Sequence, residues 1–304
     1  MATSLLRVSA VLAALAACSS FDAAEGGRTE TDGGAVDAGL DVADAGPTGA
    51  TPDGEAGACS ARPDTDPAHF CDDFDRGGRV DLRWSMIRTN AAGTIGESTG
   101  ASAPRAFQAV LAGGSPPANA QLVRTRPAEL DVATKKRLTL SFALRFDAVP
   151  YGTVTGSGYT HLAAVAFDTP PCATSGGLKQ REIELTFFAN QDLRLAGKGL
   201  LGTCTDGGPG DDFFTLPAPF RPDQLGTGTY HRVVIDLQRA SCTGEPGASL
   251  RMTIDGVPSE CRTLGVDPFD LAQSLEVSIG AFAGGSAAIN DTKVSYDDVA
   301  IDLD

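Results

Sequence analysis

The chain has few of the residues on which binding and catalytic sites most often rely. Its 304 residues include three histidines, one tryptophan and four tyrosines, so a histidine-rich metal site has few ligands to draw on and a sugar-binding face has few aromatic platforms. Basic residues are also scarce, since 24 Lys and Arg stand against 39 Asp and Glu, for a formal net charge of −15. This balance argues against nucleic acid and against docking on anionic lipid through a basic patch, because both need a Lys/Arg-rich surface. No C-x-x-C spacing occurs among the seven cysteines, which argues against structural zinc.

The apolar stretch at 8–17, which follows Arg7, is too short to span a bilayer as a mature helix. It ends in LAAC at 15–18, which looks like a bacterial lipobox. We therefore expect residues 1–18 to be a lipoprotein signal peptide, with Cys18 as the lipidated residue. An ordinary secretory signal with a chance cysteine is the alternative. Ser20 is compatible with outer-membrane sorting, so the expected location is the cell envelope, with the protein anchored to the membrane by lipid.

Residues 19–58 differ in composition from the rest of the chain. They contain nine acidic residues, one arginine and a single aromatic residue, Phe21, among repeated Gly, Ala and Asp. Few large apolar groups are available to offset the entropy of ordering, and the like charges repel one another. We expect a disordered acidic linker, whose charge says nothing about a binding site.

Residues 59–304 are predicted to form one all-β domain. Large apolar residues alternate with small or polar ones in several stretches, most clearly at 137–147, and a period of two fits half-buried antiparallel strands. Clusters of Gly, Pro and Asp separate the stretches. In the last stretch the alternation changes phase between Tyr296 and Val299, and a β-bulge at Asp297 and Asp298 would keep both halves facing the core. Many strands separated by turns predict a sandwich or a barrel.

Short motifs in a particular order carry a resemblance to a known fold family. They are FCDDFD at 70–75 followed by Trp84, GTYHRVVID at 228–236, SLRMTIDG at 249–256 and YDDVAID at 296–302. In this order they resemble the laminin-G-like branch of the concanavalin A-like lectin/glucanase superfamily, over roughly residues 68–304. Tyr230 departs from the pattern, because the branch usually has Trp there. The resemblance implies an antiparallel jelly-roll β-sandwich of two curved sheets in which the first and last strands pair. Members often bind glycans on the concave sheet, and some are hydrolases or lyases.

Seven cysteines are an odd number, and lipidation of Cys18 would leave six. An envelope location permits disulfides, and six cysteines allow 15 pairings. The simplest pairing joins neighbours along the chain, as Cys59–Cys71, Cys172–Cys204 and Cys242–Cys261. The last pair flanks the strand–turn–strand predicted around Asp255 and Gly256, so a disulfide that closes this hairpin is geometrically natural.

Glu182 and Glu184 are the nearest match to a catalytic pair. Glucanases of the superfamily carry acidic residues at alternate strand positions, as E-x-D-x-x-E or E-x-D-x-E, which places the nucleophile and the acid/base on one face. The third carboxylate is missing here, because Thr186 and Phe187 stand at its position. The alternative is two exposed glutamates on a solvated strand face.

A lyase would instead need a base such as His or Tyr, and an arginine that neutralises a uronate. Arg145, Arg181, Tyr159 and His161 could form such a site, although nothing in their spacing demands it. His161 has the same parity as the apolar residues at 163, 165 and 167. This predicts a histidine near the core whose ring nitrogens are hydrogen-bonded, rather than a base.

Calcium is the cofactor that the sequence favours. Asp73 lies at the start of the domain, and Asp297 and Asp298 lie at the predicted bulge of the closing strand, so pairing of the first and last strands would bring these carboxylates together. The alternative is acidic residues that keep strand edges soluble.

We therefore expect an envelope lipoprotein whose lectin-like β-sandwich binds a glycan or a surface protein, with Arg145, Glu182 and Glu184 as ligand-binding residues. An enzyme that acts on polysaccharide, with Glu182 and Glu184 as catalytic residues, is the second hypothesis. A structural surface protein without activity is the third. The incomplete glutamate motif favours binding over catalysis, while the single tryptophan, Trp84, is expected in the core and weakens the lectin hypothesis.

Overall fold

The structure is a computed structural model, and it describes residue 59 and residues 66–75, 83–102, 104–125, 130–151, 157–168, 180–190, 192–200, 213–218, 226–270 and 272–304. These residues belong to the compact unit Thr51–Asp304. The signal peptide, Cys18 and the acidic linker all lie outside the described residues, so these assignments stay predictions. The part of the chain that the structure describes holds no helix with the length and apolar character of a membrane span.

The regular secondary structure of the described residues is almost entirely β-strand, with one 3-10 turn at Val132–Thr134. The strands are β1 His69–Asp72, β2 Met86–Thr89, β3 Gly93–Ser98, β4 Ala106–Leu111, β5 Ala118–Thr125, β6 Arg137–Ala148, β7 Gly158–Asp168, β8 Gln180–Phe188, β9 Leu193–Lys198, β10 Phe213–Pro217, β11 His231–Gln238, β12 Ala248–Ile254, β13 Val257–Pro258, β14 Arg262–Leu264, β15 Ser274–Gly285 and β16 Thr292–Leu303.

Two antiparallel sheets make up the fold. Sheet A runs in the order β13-β12-β11-β6-β16-β4-β3, with β1 also paired to β16 and β14 also paired to β12. Sheet B runs in the order β10-β9-β8-β7-β15-β5-β2. Strands that are distant in the chain are therefore neighbours in both sheets, as expected for a jelly-roll β-sandwich, and the predicted fold class is confirmed.

The apolar residues of the alternating stretches fill the space between the two sheets. On β6, the large apolar residues are at most 1% exposed, and the same holds for the alternate apolar positions of β8, β11, β12 and β15. These strands turn their large apolar residues to the core and mostly small or polar residues to the other face, because successive residues point to opposite sides of a sheet. The buried residues of these strands are Leu138, Leu140, Phe142, Leu144, Phe146, Ile183, Leu185, Phe187, Val233, Ile235, Leu237, Leu250, Met252, Ile254, Val277, Ile279 and Ala281.

The phase change in β16 is a β-bulge, as predicted. The register with β6 passes from Asp297↔Ala143 to Ala300↔Ser141, and Asp298 has a φ of 48°. Tyr296, before the bulge, and the apolar residues after it are all buried. The first strand pairs with this closing strand, since β1 lies antiparallel to β16, which is the pairing that the family resemblance implied.

A second bulge, in β7, overturns the prediction for His161. Opposite β8, His161 pairs with Thr186 and Ala163 pairs with Leu185, so Leu162 is an extra residue. The extra residue reverses the alternation, and His161 lies on the outer face rather than near the core.

Two of the three expected disulfides lie within the described residues and are confirmed. Cys59–Cys71 joins the start of the domain to β1, and Cys242–Cys261 closes the hairpin region of β12 to β14. Cys172 and Cys204 lie outside the described residues. Trp84 is a core residue, as expected, and is 2% exposed with its indole N–H donating to Asp72.

Candidate active site

The outer face of sheet B carries four of the polar side chains that the sequence marks as candidates, namely Tyr159, His161, Glu182 and Glu184. Alanines of the neighbouring strands lie beside the acidic side chains of β8. Ala166 of β7 pairs with Glu182, and Ala164 of β7 and Ala196 of β9 pair with Glu184. From β15 to β9, three adjacent rows read Glu276, Ala166, Glu182, Lys198; then Ser278, Ala164, Glu184, Ala196; then Phe282, His161, Thr186, Arg194.

His161 and Glu184 form the centre of this face. The Nδ1 atom of His161 lies 3.3 Å from Oε2 of Glu184 and 3.0 Å from Oγ1 of Thr186. The side chains of His161 and Glu184 are 17% and 18% exposed, so both are largely withdrawn from water but still reach the surface. We call Tyr159, His161, Glu182, Glu184 and Lys198 the sheet B site.

The two central groups are held uncharged near neutral pH. Burial, together with the charge of Glu182, raises the pKa of Glu184 to about 8, although Lys198 opposes the shift. Burial and the neighbouring charge of Lys198 lower the pKa of His161 to about 3. Removal from water disfavours the charged form of each group, so the contact joins a carboxylic acid and a neutral imidazole.

Charged side chains surround this neutral pair. Glu182 Oε2 lies 4.0 Å from the Lys198 ammonium nitrogen, and Lys198 is 37% exposed. Burial raises the pKa of Glu182, while Lys198 lowers it and Glu276 raises it. Glu276, which lies in the same row as Glu182, is bound by Arg88 of β2 through two contacts of 2.7 and 2.8 Å. Lys198 is therefore the more accessible positive charge beside the glutamates.

Aromatic rings flank His161 on the same face. The imidazole is stacked on Phe282 at 5.7 Å between ring centroids, with an interplanar angle of 6°. The ring of Tyr159 lies 4.6 Å from the imidazole. The stack restricts the rotation of His161, and the arrangement places an apolar platform beside the polar groups, which is a combination suited to sugar binding.

The structure brings together some of the predicted site residues and separates others. Glu182, Glu184, Tyr159 and His161 share the outer face of sheet B. Arg181 has the opposite parity on β8, and its guanidinium donates to the carbonyl oxygens of residues 267 and 270.

Arg145 lies on β6, in the other sheet. It contacts Asp147 at 2.7 Å, donates to Ser98 and packs 4.6 Å from the centre of the Tyr230 ring. Its side chain is 14% exposed. Arg145 is therefore engaged in a network on the outer face of sheet A, and it does not form one site with Glu182 and Glu184.

The expected calcium ligands have other partners. One carboxylate oxygen of Asp297 accepts hydrogen bonds from the backbone N–H groups of Ala101 and Ser102 and from the Ser102 hydroxyl, and the other accepts from the N–H of Asp298. Asp73 accepts from the N–H of residue 75. Within the described ranges, no group of three or more His, Cys, Asp or Glu side chains is arranged to hold a metal ion. Asp73 and Asp75 lie close enough to Asp298 to raise its pKa, although burial is the larger cause. Calcium binding by Asp73, Asp297 and Asp298 stays a prediction.

A G-x-S-x-G pentapeptide occurs at 96–100, with Ser98 at its centre. In nucleophile elbows this sequence joins a strand to a helix. Here Ser98 ends β3, an edge strand of sheet A, and is contacted by Arg145. The setting lacks the features of an elbow, and no catalytic role is assigned to Ser98.

Comparison with known proteins supports the fold. No family model matches the chain, and no curated protein matches it. Among solved structures, the chain is similar to an endo-β-1,4-glucuronan lyase from the fungus Trichoderma reesei, with a TM-score of 0.52 and 18% identity over 77% of this chain and 95% of the lyase. It is also similar to the alginate lyase Aly36B, with a TM-score of 0.50 and 10% identity over 78% of this chain and 97% of that chain. The chain thus shares the jelly-roll β-sandwich fold of these two structures.

Proposed function

We propose that this protein is a polysaccharide lyase that cleaves a uronate-containing glycan on the outer face of sheet B. The observation that carries the proposal is the neutral His161, held through Nδ1 against Thr186 and Glu184 on an accessible face. The shared fold with two polysaccharide lyases supports it, although similarity at this level of identity concerns the fold alone. The proposal replaces glycan binding without cleavage as the preferred function.

Elimination from a uronate needs a base, an acid and a group that reduces the charge of the carboxylate. We assign the base to Nε2 of His161, since Nδ1 is used by Thr186 and Glu184. A uronate carboxylate bound beside His161 would raise the low pKa of the imidazole, because an opposite charge favours the imidazolium. Substrate binding would thus bring the base closer to the range in which general bases work.

Glu184 and Lys198 would act on the substrate carboxylate. A protonated Glu184 can donate a hydrogen bond to it, and Lys198 supplies a positive charge in the neighbouring row. Both interactions stabilise the negative charge that develops as the α-carbon loses its proton.

The proposed elimination breaks two bonds of the substrate, C5–H and C4–O4. His161 takes the proton from C5, and the electrons of that C–H bond form the double bond between C4 and C5. The C4–O4 bond breaks, and the leaving O4 takes a proton from the hydroxyl of Tyr159, whose ring lies beside His161. The products are one chain with a new reducing end and one chain that begins with the unsaturated uronate. Return of a proton from the His161 imidazolium to the Tyr159 phenolate restores both groups.

A glycoside hydrolase is the second candidate, because Glu182 and Glu184 lie on one face and the raised pKa of Glu184 suits a general acid. The third carboxylate position of the glucanase pattern is occupied by Thr186, which contacts His161 instead. The lyase hypothesis uses more of the observed contacts.

The test is an incubation of the purified full chain with glucuronan, alginate and a neutral β-glucan. The expected result is ultraviolet absorbance from unsaturated ends with a polyuronate and none with the neutral glucan. New reducing ends without that absorbance would replace the lyase with a hydrolase. Glycan retention on an affinity gel without any cleavage would restore the binding hypothesis.

We also propose that the protein is an envelope lipoprotein, on the basis of the LAAC sequence at 15–18. In the native host, a Cys18→Ser variant is expected to leave the membrane fraction and to change in electrophoretic mobility. Unchanged fractionation and mobility would contradict lipidation.

A further inference from the structure

The orientation of His161 depends on a break in the alternation of β7. The apolar residues that follow on β7 face the core, and an unbroken period of two would turn His161 inward with them. Opposite β8, His161 pairs with Thr186 and Ala163 with Leu185, so Leu162 is the extra residue. The bulge at Leu162 is what brings the imidazole to the face that carries the sheet B site.

One side chain contacts two backbone carbonyls at this bulge. A bulge disrupts the ladder, and buried carbonyl groups then need other donors. The hydroxyl oxygen of Tyr296 lies 2.8 Å from the carbonyl oxygen of Leu162 and 2.7 Å from that of Gly280. Tyr296 stands on β16 of sheet A and is fully buried, so the contact connects the two sheets through the core.

Gly280 contributes an irregularity in the neighbouring strand. The register of β15 with β7 shifts just before Phe282, at the level of the β7 bulge. Gly280 has a φ of +125°, which favours glycine, and an added Cβ would lie 2.3 Å from the carbonyl oxygen of Ala120. Both irregular strands carry a side chain of the stack beside the site, His161 on β7 and Phe282 on β15.

We propose that Tyr296 is a positioning residue, whose hydroxyl holds the paired irregularities of β7 and β15 and thereby keeps His161 on the outer face against Glu184. The importance of this role for catalysis rests on the proposed function, but the positioning itself is a property of the protein without substrate. Burial raises the pKa of Tyr296 well above its ordinary value, so the hydroxyl keeps its proton and remains a donor.

The hydroxyl can be tested apart from the ring. The ring of Tyr296 packs 5.7 Å from Phe107 and 5.8 Å from Phe142, and Tyr296→Phe preserves these contacts while it removes the donor. The measurement is an NMR pH titration of the histidine imidazoles in the full chain, with the His161 signals assigned through a His161→Gln variant.

In the wild-type protein His161 is expected not to titrate between about pH 5 and pH 8. In Tyr296→Phe the bulge loses its donor, His161 moves away from Glu184 into water, and its midpoint rises toward about 6.5. If the wild type is an active lyase, the same variant should lower kcat at least tenfold with a smaller change in KM.

Two controls separate the hydroxyl from general destabilisation. Tyr230→Phe also removes a tyrosine hydroxyl that donates to a backbone carbonyl, that of Thr99, but on the other sheet. Phe107→Leu loosens the packing around Tyr296 and keeps its hydroxyl. Both are expected to leave the His161 titration as in the wild type.

A Tyr296→Phe protein that is folded but less stable, with His161 still untitrated in this range, would overturn the proposal and leave Tyr296 a structural residue. A His161 midpoint that rises equally in Phe107→Leu would also overturn it, since any loosening of the core would then suffice. Absence of cleavage by the wild type would contradict the proposed lyase function but not the positioning, because the titration needs no substrate.

Discussion

The imidazole Nδ1 of His161 lies 3.3 Å from the carboxyl Oε2 of Glu184 on the outer face of sheet B. Each group is withdrawn from water, and burial favours the uncharged form of each, so the fold raises the pKa of the acid and lowers that of the base. The pair therefore links the stability of the protein to pH in a way that substitution of either partner should reveal.

Glu184→Gln is expected to make stability less sensitive to a rise in pH between about 6.5 and 8. Because the pKa of Glu184 is about 8 in the folded protein against an ordinary value of 4.5, the folded state binds more protons between these values, and stability falls as pH rises through this window. The pKa of His161, lowered to about 3 from 6.5, has the opposite effect below pH 6.5. The wild-type loss due to Glu184 should thus be clearest from about pH 6.5 to 8.

The measurement is the midpoint of urea unfolding across this range for the wild type, Glu184→Gln and a control, Glu97→Gln. Glu97 lies on β3 of sheet A with its side chain 61% exposed. A wild-type curve that runs parallel to that of Glu184→Gln would contradict the assignment of a protonated Glu184.

His161→Gln is expected to reduce cleavage by a factor of about 10²–10⁴ and leave the fold intact, because general acid–base groups typically contribute that much. Glutamine keeps a polar side chain near Thr186 but cannot accept a proton from carbon. The matched control is His231→Gln, since His231 lies on β11 of sheet A beside Asp255. Equal losses of activity in both variants would show that the effect is not specific to the site.

The bulge in β16 is visible in the sequence, whereas the bulge in β7 is not. The difference lies in how many alternating apolar residues precede and follow each bulge. In β16, buried apolar residues lie both before and after Asp297 and Asp298, so the phase change is visible in the sequence. In β7, only 158–161 precede the bulge, and the inward-facing residue there is Thr160, which is polar and fully buried. No apolar residue marked the earlier phase.

The sequence places Glu182 and Glu184 on one face of a strand. It does not identify the side chains on neighbouring strands that contact them. Lys198 was missed, although the antiparallel register of β8 and β9 sets it opposite Glu182, and pairing these two stretches as a hairpin would have suggested it. The sequence groups Arg145 with the glutamates, because local alternation does not say to which sheet a strand belongs. That assignment depends on pairing between strands distant in the chain, such as β6 with β16.

Arg145→Met is expected to lower stability by about 1–3 kcal/mol, because it leaves Asp147 without its charged partner, and to leave cleavage of polyuronate unchanged. Lys198→Met should have the reverse effect, with a large loss of activity and little loss of stability, because Lys198 is partly exposed. Paired measurements of unfolding and initial rate test both. A loss of activity in Arg145→Met with wild-type stability would return Arg145 to the ligand-binding residues.

Gly280→Ala is expected to destabilise the domain by at least about 1–3 kcal/mol, the cost of a side chain held in a disfavoured backbone region, with the clash against Ala120 added. Gly96→Ala is the matched control, because Gly96 also lies in a strand and an added Cβ meets nothing within 4 Å. Thermal unfolding of both variants distinguishes a requirement for glycine from a general effect of strand substitution. Similar midpoints for the two would contradict the close approach at Gly280.

The two described disulfides should differ in their susceptibility to reduction in the folded protein. Cys59 and Cys71 are each 1% exposed, whereas Cys242 is exposed and Cys261 is partly so. Thiol–disulfide exchange requires access of the attacking thiolate to a sulfur atom, so a mild reductant should open Cys242–Cys261 first. Timed alkylation followed by peptide mass spectrometry would reveal the order, and early labelling of Cys59 or Cys71 would contradict it.

Loss of Cys242–Cys261 removes a constraint across a sequence separation of 19 residues, and the double Cys→Ser variant is expected to lose about 3 kcal/mol of stability.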